Sequence, residues 1–313
     1  MSSNTFLISK DIFRQMEDYF QHFPTDLTNI IVSLVHDYSD LDNLILAFQP
    51  LRLLNWPLIN FYSFGGEYVP NMTYERYTRI LELCSLREKL NLGMSIIELE
   101  NLVHLNLSNI KLTDIPKEIG NLQNLQNLYL DNNQLTDVPK EIGNLQNLQY
   151  LYLNGNQLVG VPKEIGNLRN LQQLYLRNDQ LKDVPKEIGN LQNLKYLDLG
   201  NNKLMNIPEE FGNLQNLQVL HLDNNQLMTV PREIYNLLNL RILNLGSNQL
   251  MNVPKEIGNL QNLQYLYLSD NQLTNVPGDI SNLQNLQHLN LMNNKLTSVP
   301  KEISNMINMT LII

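Results

Sequence analysis

Leu148-Gln-Tyr-Leu-Tyr-Leu-Asn-Gly-Asn-Gln-Leu158, continued by Val159-Gly-Val-Pro-Lys-Glu-Ile-Gly-Asn-Leu-Arg-Asn170, is one unit of a repeat that fills two thirds of this chain. Its first leucine recurs at Leu102, Leu125, Leu148, Leu171, Leu194, Leu217, Leu240, Leu263 and Leu286, each 23 residues after the last. A fixed period of this length takes precedence over local propensity and predicts a stacked array. Within the unit, Leu151 and Leu153 are two apart, so they share one face of a short strand while Tyr150 and Tyr152 point to the other. One such strand cannot bury its leucines alone. Strands from successive units, laid parallel about 4.8 Å apart, make a continuous sheet over a continuous core.

Asn156 stands where the chain must leave the sheet, and its amide can both donate to and accept from backbone groups the turn leaves unpaired. The same ninth position holds Asn133, Asn202, Asn225, Asn248, Asn271 and Asn294; the exceptions are Ile110 in the first unit and Asp179 inside the array. A carboxylate has no donor to offer, so Asp179 predicts a local weak point unless a basic neighbour such as Arg177 answers it. In the returning half, Pro162 suits a first helical position, where its missing N–H costs nothing. Ile165 and Leu168, three apart, then face the core from one turn of helix. Gly166 suits a tight exit.

The pattern L-x-x-L-x-L-x-x-N-x-L, repeated nine times, resembles the leucine-rich repeat family. The variant is similar to intracellular members with short convex segments, Ras-group and other signalling scaffolds among them, and lacks the cysteine-rich caps of secreted animal types. The resemblance implies an α/β fold: a solenoid with a curved parallel sheet, short convex helical segments and an α-helical N-terminal cap. The expected organisation is a mostly helical region at 1–100 and a solenoid at 101–313, with nine full repeats and a truncated tenth carrying Met309 and Ile312. Four of the last five residues are apolar, which predicts an edge strand that self-associates end to end or meets a partner.

A net charge of −9 argues against nucleic acid as the main partner. The single cysteine, Cys84, excludes an internal disulfide framework and points to a reducing compartment. Neither a signal peptide nor a run of apolar residues long enough to span a membrane is present, so the expectation is a cytoplasmic protein with no membrane role. The sequons at Asn71, Asn106 and Asn308 fit chance in so asparagine-rich a chain.

Residues 1–100 differ in composition. They hold seven of the eight Phe, the only Trp, and 13 acidic against seven basic residues, which is −6 of the net −9. Apolar spacing predicts helices from about Lys10 to Phe20, Asp26 to Tyr38, after Asp40, and from Asn71 to Leu90, with a hairpin around Gly65-Gly66. Phe23-Pro24-Thr25-Asp26-Leu27, followed by Ile31, Leu34, Asp40-Leu41, Leu44 and Trp56, resembles an F-box at about 23–56. In this sequence Phe23 replaces the usual opening Leu, Asp26 the usual Glu, and Asn55 the usual basic residue beside the Trp. That resemblance implies that Phe23, Pro24, Leu27, Ile31 and Leu34 dock a Skp1-like ubiquitin-ligase adaptor. The plainer reading is a helical cap over the first repeat's open edge, and both roles are compatible. An asparagine-rich array behind such a region is also similar to leucine-rich repeat proteins of giant amoeba-infecting DNA viruses, a resemblance that implies host cytoplasm if the protein is viral.

The sequence carries no phosphate-binding loop, nucleophile elbow, zinc-protease motif or paired-cysteine metal motif, so no catalytic residue, metal or cofactor is expected. His104, His221 and His288 face the concave side in repeats one, six and nine, roughly 24 and 14 Å apart, too far to share an ion. Cys84, among helical apolar residues, reads as a buried structural thiol. The Lys-Glu pairs, such as Lys140-Glu141, read as solvated convex rows. Aromatics stand out instead. Tyr129, Tyr150, Tyr152, Tyr175, Tyr196, Tyr265 and Tyr267 occupy the two outward strand positions and, with His221 and His288, make columns on the concave face. A half-exposed strand alone would favour Phe, Val, Ile and Thr equally; the columns otherwise hold mainly Asn, His, Gln and Asp. Tyr gives contact area and a hydroxyl at low entropic cost, as binding hot spots require. The expected function is therefore non-enzymatic binding of a protein partner on the concave face. Two forms of it stand: substrate receptor of a ubiquitin ligase, or interaction scaffold modulating small-GTPase or other signalling.

Overall fold

The computed structural model describes residues 62–64, 67–68, 74–306 and 309–313. The chain divides into two compact units, Met1–Thr78 and Arg79–Ile313. In the first, β1 (Tyr62–Phe64) pairs antiparallel with β2 (Glu67–Tyr68), the hairpin that the Gly65-Gly66 pair predicts. The expected helices before residue 60, and with them Phe23, Pro24, Leu27, Ile31, Leu34 and Trp56, lie outside the described residues.

Helix α1 (Tyr74–Lys89) falls within the helix expected at Asn71–Leu90 and ends one residue sooner. Helix α2 (Ile96–Glu100) opens with a capping box: Ser95 Oγ accepts from the Glu98 N–H and the Glu98 carboxylate accepts from the Ser95 N–H. Leu83, Leu86 and Leu99 enter the same buried cluster as Leu105 and Leu107 of the first repeat, so these two helices close that end of the core. Arg79 pairs with Glu100 at 2.7 Å and Lys89 with Glu118 at 2.8 Å. Glu118 thus departs from the solvated row expected of the convex Lys-Glu pairs: it is buried, because the helical cap covers it and supplies Lys89. Burial opposes its ionisation, yet the Lys89 bond outweighs this and holds its pKa below the ordinary value. Cys84 is half-buried rather than fully so.

The repeats build one ten-stranded parallel sheet in consecutive order: β3 (His104–Asn106), β4 (Asn127–Tyr129), β5 (Tyr150–Tyr152), β6 (Gln173–Tyr175), β7 (Tyr196–Asp198), β8 (Val219–His221), β9 (Ile242–Asn244), β10 (Tyr265–Tyr267), β11 (His288–Asn290) and β12 (Thr310–Ile312). Register is in phase from β3 to β12, so equivalent residues sit side by side, as Tyr129, Tyr152 and Tyr175 do. The central leucine of every strand from β4 to β11 is fully buried, and the residues flanking it face outward. At the far edge Ile312 and Ile313 are exposed.

The short convex helical segments expected are present as 3-10 turns, and only the last, α3 (Lys301–Ser304), is α-helical. Proline sits one residue earlier than the sequence predicts. In the turn at 140–144, Pro139 is the cap, extended at ψ 141°, and its carbonyl accepts the Ile142 N–H at 3.0 Å. The glycine after the isoleucine is required by close approach: a Cβ on Gly120 would lie 2.6 Å from the Glu141 carbonyl of the next repeat. Tyr235 takes that slot once, fully enclosed, and the turns at 232–236 and 255–259 touch more sparsely as a result.

Two asparagine ladders tie the repeats together. Asn156 donates to the carbonyls of Leu130 and Leu153, while its Oδ1 accepts from Leu135 N–H; Asn202 does the same with Leu176, Leu199 and Leu181. The second ladder closes the convex side. Asn147, Asn170, Asn193, Asn216, Asn239, Asn262 and Asn285 each donate to a carbonyl 24 residues back, at 2.7–2.8 Å. The turn itself is made one position before the ninth. Asn132, Asn178, Asn201, Asn224 and Asn293 have φ between 51° and 58°, the left-handed region that Asn tolerates best among side-chain-bearing residues. Asp179 takes the ladder position in repeat four. Its Oδ1 accepts from Leu158 N–H at 3.0 Å, but its Oδ2 is buried without a partner. Arg177 is not that partner, because it turns the other way.

Candidate functional site

Strand alternation puts Tyr129, Tyr152 and Tyr175 in one outward column, and in-phase register brings the rings into contact. Tyr129 and Tyr152 stack with centroids 4.8 Å apart, and Tyr152 and Tyr175 at 4.5 Å. In the next strand that column holds Asp198 instead. The stack continues by changing lane: Tyr196, two residues earlier on the same face, reaches Tyr175 at 4.6 Å, and His221, back in the original column, follows at 5.6 Å. Five rings from β4 to β8 thus make one ladder across five strands.

Arg177 explains why Asp198 interrupts the column. From the start of the turn after β6, its guanidinium bonds Asp198 at 3.4 Å and grips Asp223, two repeats on, at 3.1 and 2.6 Å. To get there it crosses Gly200. A Cβ at that position would collide with the guanidinium, so the glycine is what opens the route. Both carboxylates are buried. Burial opposes the ionisation of Asp223, but bonds from Arg177 and Asn224 outweigh it and keep its pKa below the ordinary value. The Asp223 bond, with Asp198 beside it, raises that of Arg177 against the opposing effect of burial. Partial burial raises the phenol pKa values of Tyr152, Tyr175 and Tyr196, so these hydroxyls stay protonated and can donate. Tyr175 Oη donates to Gln173 Oε1 at 3.0 Å, and Tyr129 Oη accepts from Asn127 Nδ2 at 3.1 Å.

Between the ladder and the turn lies an open groove of ≈ 390 Å³, lined by Tyr129, Asp131, Tyr152, Asn154, Tyr175, Arg177 and Asp198. Of the residues the sequence singles out, Tyr129, Tyr152, Tyr175, Tyr196 and His221 come together here. Tyr150 does not join the stack: its register neighbours are Asn127 and Gln173. Tyr267, Tyr265 and His288 form a separate stack, Tyr265 lying 6.5 Å from Tyr267 and 4.9 Å from His288. Ile242 and Asn244 of β9 stand between the two groups. Arg177, Asp131 and Asp223 were not among the sequence-predicted site residues. Arg177 is the sole basic residue at its repeat position, and that was the available signal. Among the described residues no His, Cys, Asp and Glu side chains cluster as a metal site, and no helix is long and apolar enough to cross a membrane.

The family profile of the leucine-rich repeat region matches residues 59–184 and 231–312, and a second leucine-rich repeat profile matches 169–227. The chain belongs to the leucine-rich repeat family. Among solved structures, this leucine-rich repeat chain is similar to a leucine-rich repeat protein of Leptospira interrogans, at 38% identity and TM-score 0.58, over 78% of this chain and 70% of that one. It is also similar to the plant peptide hormone receptor RGFR1, solved in complex with RGF2, at 37% identity and TM-score 0.64, over 68% of this chain and 36% of the receptor. A third likeness is the receptor kinase ectodomain GASSHO1/SCHENGEN3 of Arabidopsis thaliana, solved with CASPARIAN STRIP INTEGRITY FACTOR 2, at 35% identity and TM-score 0.56, over 67% and 29%. The chain therefore spans about a third of either plant receptor. No curated protein matches the sequence.

Proposed function

We propose that this leucine-rich repeat protein binds an extended protein segment along its concave face, seated on the Tyr129–Tyr152–Tyr175–Tyr196–His221 ladder and in the groove beside it. The continuity of that ladder carries the reading. A lane change at Asp198 that still preserves ring contact supplies an unbroken amphipathic track, apolar along the rings and hydrogen-bonding at the hydroxyls. Two similar receptors support it, the plant peptide hormone receptor RGFR1 solved with RGF2 at 37% identity and GASSHO1/SCHENGEN3 solved with CASPARIAN STRIP INTEGRITY FACTOR 2 at 35%. The activity is recognition, not catalysis: the face offers aromatic rings and amides, with its one Arg–Asp cluster tied up internally.

The F-box resemblance of residues 23–56 favours one use of this recognition, a receptor that presents its bound target to a Skp1-like adaptor. Without that adaptor the same face serves as an interaction scaffold in signalling. A peptide library selected on the immobilised protein tests the shared core of both. Selected peptides are expected to lose at least tenfold in affinity for the Tyr152→Ala/Tyr175→Ala variant. Equal affinity for both proteins overturns the assignment to the ladder.

A further inference from the structure

Repeat four departs from the ladder at one atom. In the neighbouring repeats the asparagine Nδ2 donates to two carbonyls, 26 and three residues back. The repeat's symmetry sets the Leu153 and Leu176 carbonyls around the corresponding atom of Asp179, which is Oδ2. Oδ2 is buried and has no partner. An ionised carboxylate there points negative charge at carbonyl oxygens; a protonated one places an O–H donor where the amide N–H would be.

We infer that Asp179 is a proton-controlled joint in the array: protonated, it completes the ladder like an asparagine; ionised, it loosens the turn that follows β6. The charged groups around it do not compensate. Its ladder neighbours are the neutral Asn156 and Asn202, and Arg177 is committed to Asp198 and Asp223. Lys182 and Asp183 beyond the turn are exposed, as is Lys203 of the next repeat, which bonds Gln180. Burial raises the carboxyl pKa to about 7, only partly offset by the N–H groups of Leu158 and Asn156. The folded state therefore holds this proton more tightly than the unfolded chain. Stability from it is greatest at the acid end and is lost as pH rises from about 4 toward about 7. Because Arg177 begins the same turn, the proton also sets how firmly the bridge beside the groove is anchored. The device is independent of whether that groove binds a protein.

Asp179→Asn restores the ladder residue and titrates no proton there, so it is the reference. Urea unfolding of both proteins from pH 5 to 8.5 is expected to show the wild-type unfolding constant rising against the variant's by about tenfold per pH unit up to about pH 7, then levelling. Difference infrared spectra are expected to show a protonated-carboxyl C=O band in the wild type at pH 5.5 that is missing from the variant. Parallel stability curves, or no such band, overturn the inference.

Discussion

The turn behind the strands and the face in front of them are written by the same 23 residues, yet they follow different rules. Behind, Asn133, Asn156, Asn202, Asn225, Asn248 and Asn271 repeat with one substitution, because each amide serves carbonyls of its own repeat and the one before. A change at one rung strands polar groups in two repeats. In front, the outward strand positions run through Asn, Tyr, Gln, Asp, Val, His and Ile. Nothing in the sheet's hydrogen bonding constrains them, since backbone amides alone hold the strands. Where stacking physics leaves a position free, a run of contacting rings is informative; where it does not, identity from repeat to repeat reports only the fold.

Substitutions on the two sides sharpen this contrast. The largest effect belongs to the ladder. Asn202→Ala abandons Leu181 N–H and the Leu176 carbonyl, both buried, leaves the Leu199 carbonyl to Asn225 alone, and is expected to cost about 3 kcal/mol in chemical denaturation. A loss under about 1 kcal/mol would mean water enters the turn and the rung is not structural. Next comes the bridge that joins the two regions. Arg177→Ala leaves Asp198 and Asp223 buried without their cation and is expected to cost about 2 kcal/mol near neutral pH, easing in acid as Asp223 protonates. Asp223 has a depressed pKa, so the stability it gains from Arg177 is present above the ordinary carboxylate value and is lost as pH falls below that value through the depressed one. A pH-independent loss would assign the effect to packing of the arginine stem. The smallest difference is on the open face. Tyr152→Ala breaks two stacking contacts and should cost about 1 kcal/mol, whereas Tyr150→Ala, outside the stack, should stay within about 0.5 kcal/mol. Equal thermal midpoints for the two variants would show that the ladder contributes no stability.

Much of the array was legible in the sequence because its signals are local. Two-residue spacing sets which side chains of Tyr150–Tyr152 face outward, three-residue spacing buries Ile165 with Leu168, and a ninth-position asparagine marks the exit from the sheet in all but two repeats. The eighth position carried a signal too, since it is Asn in all but three repeats, where Gly155, Ser247 and Asp270 stand and φ is equally positive, and the second ladder stood in every Gly-Asn-Leu-x-Asn. Proline's place was off by one residue because a 3-10 turn starts from a carbonyl three residues back rather than four.

By itself the sequence determined the period, the inward leucines, the parallel in-phase sheet that a strict 23-residue step imposes, and the two columns in which tyrosines face outward. Only the tertiary structure decided that Tyr196 crosses columns to keep the ladder continuous while Tyr150 stays out of it. It alone showed that Arg177 spans two repeats over Gly200 and so leaves Asp179 with an unanswered oxygen. The reason is distance along the chain. Contacts within a repeat are fixed by neighbouring residues and the period of the backbone, but a ring that leans, or an arginine that reaches 46 residues ahead, depends on which side chains the stacking of separate repeats brings within a few ångströms.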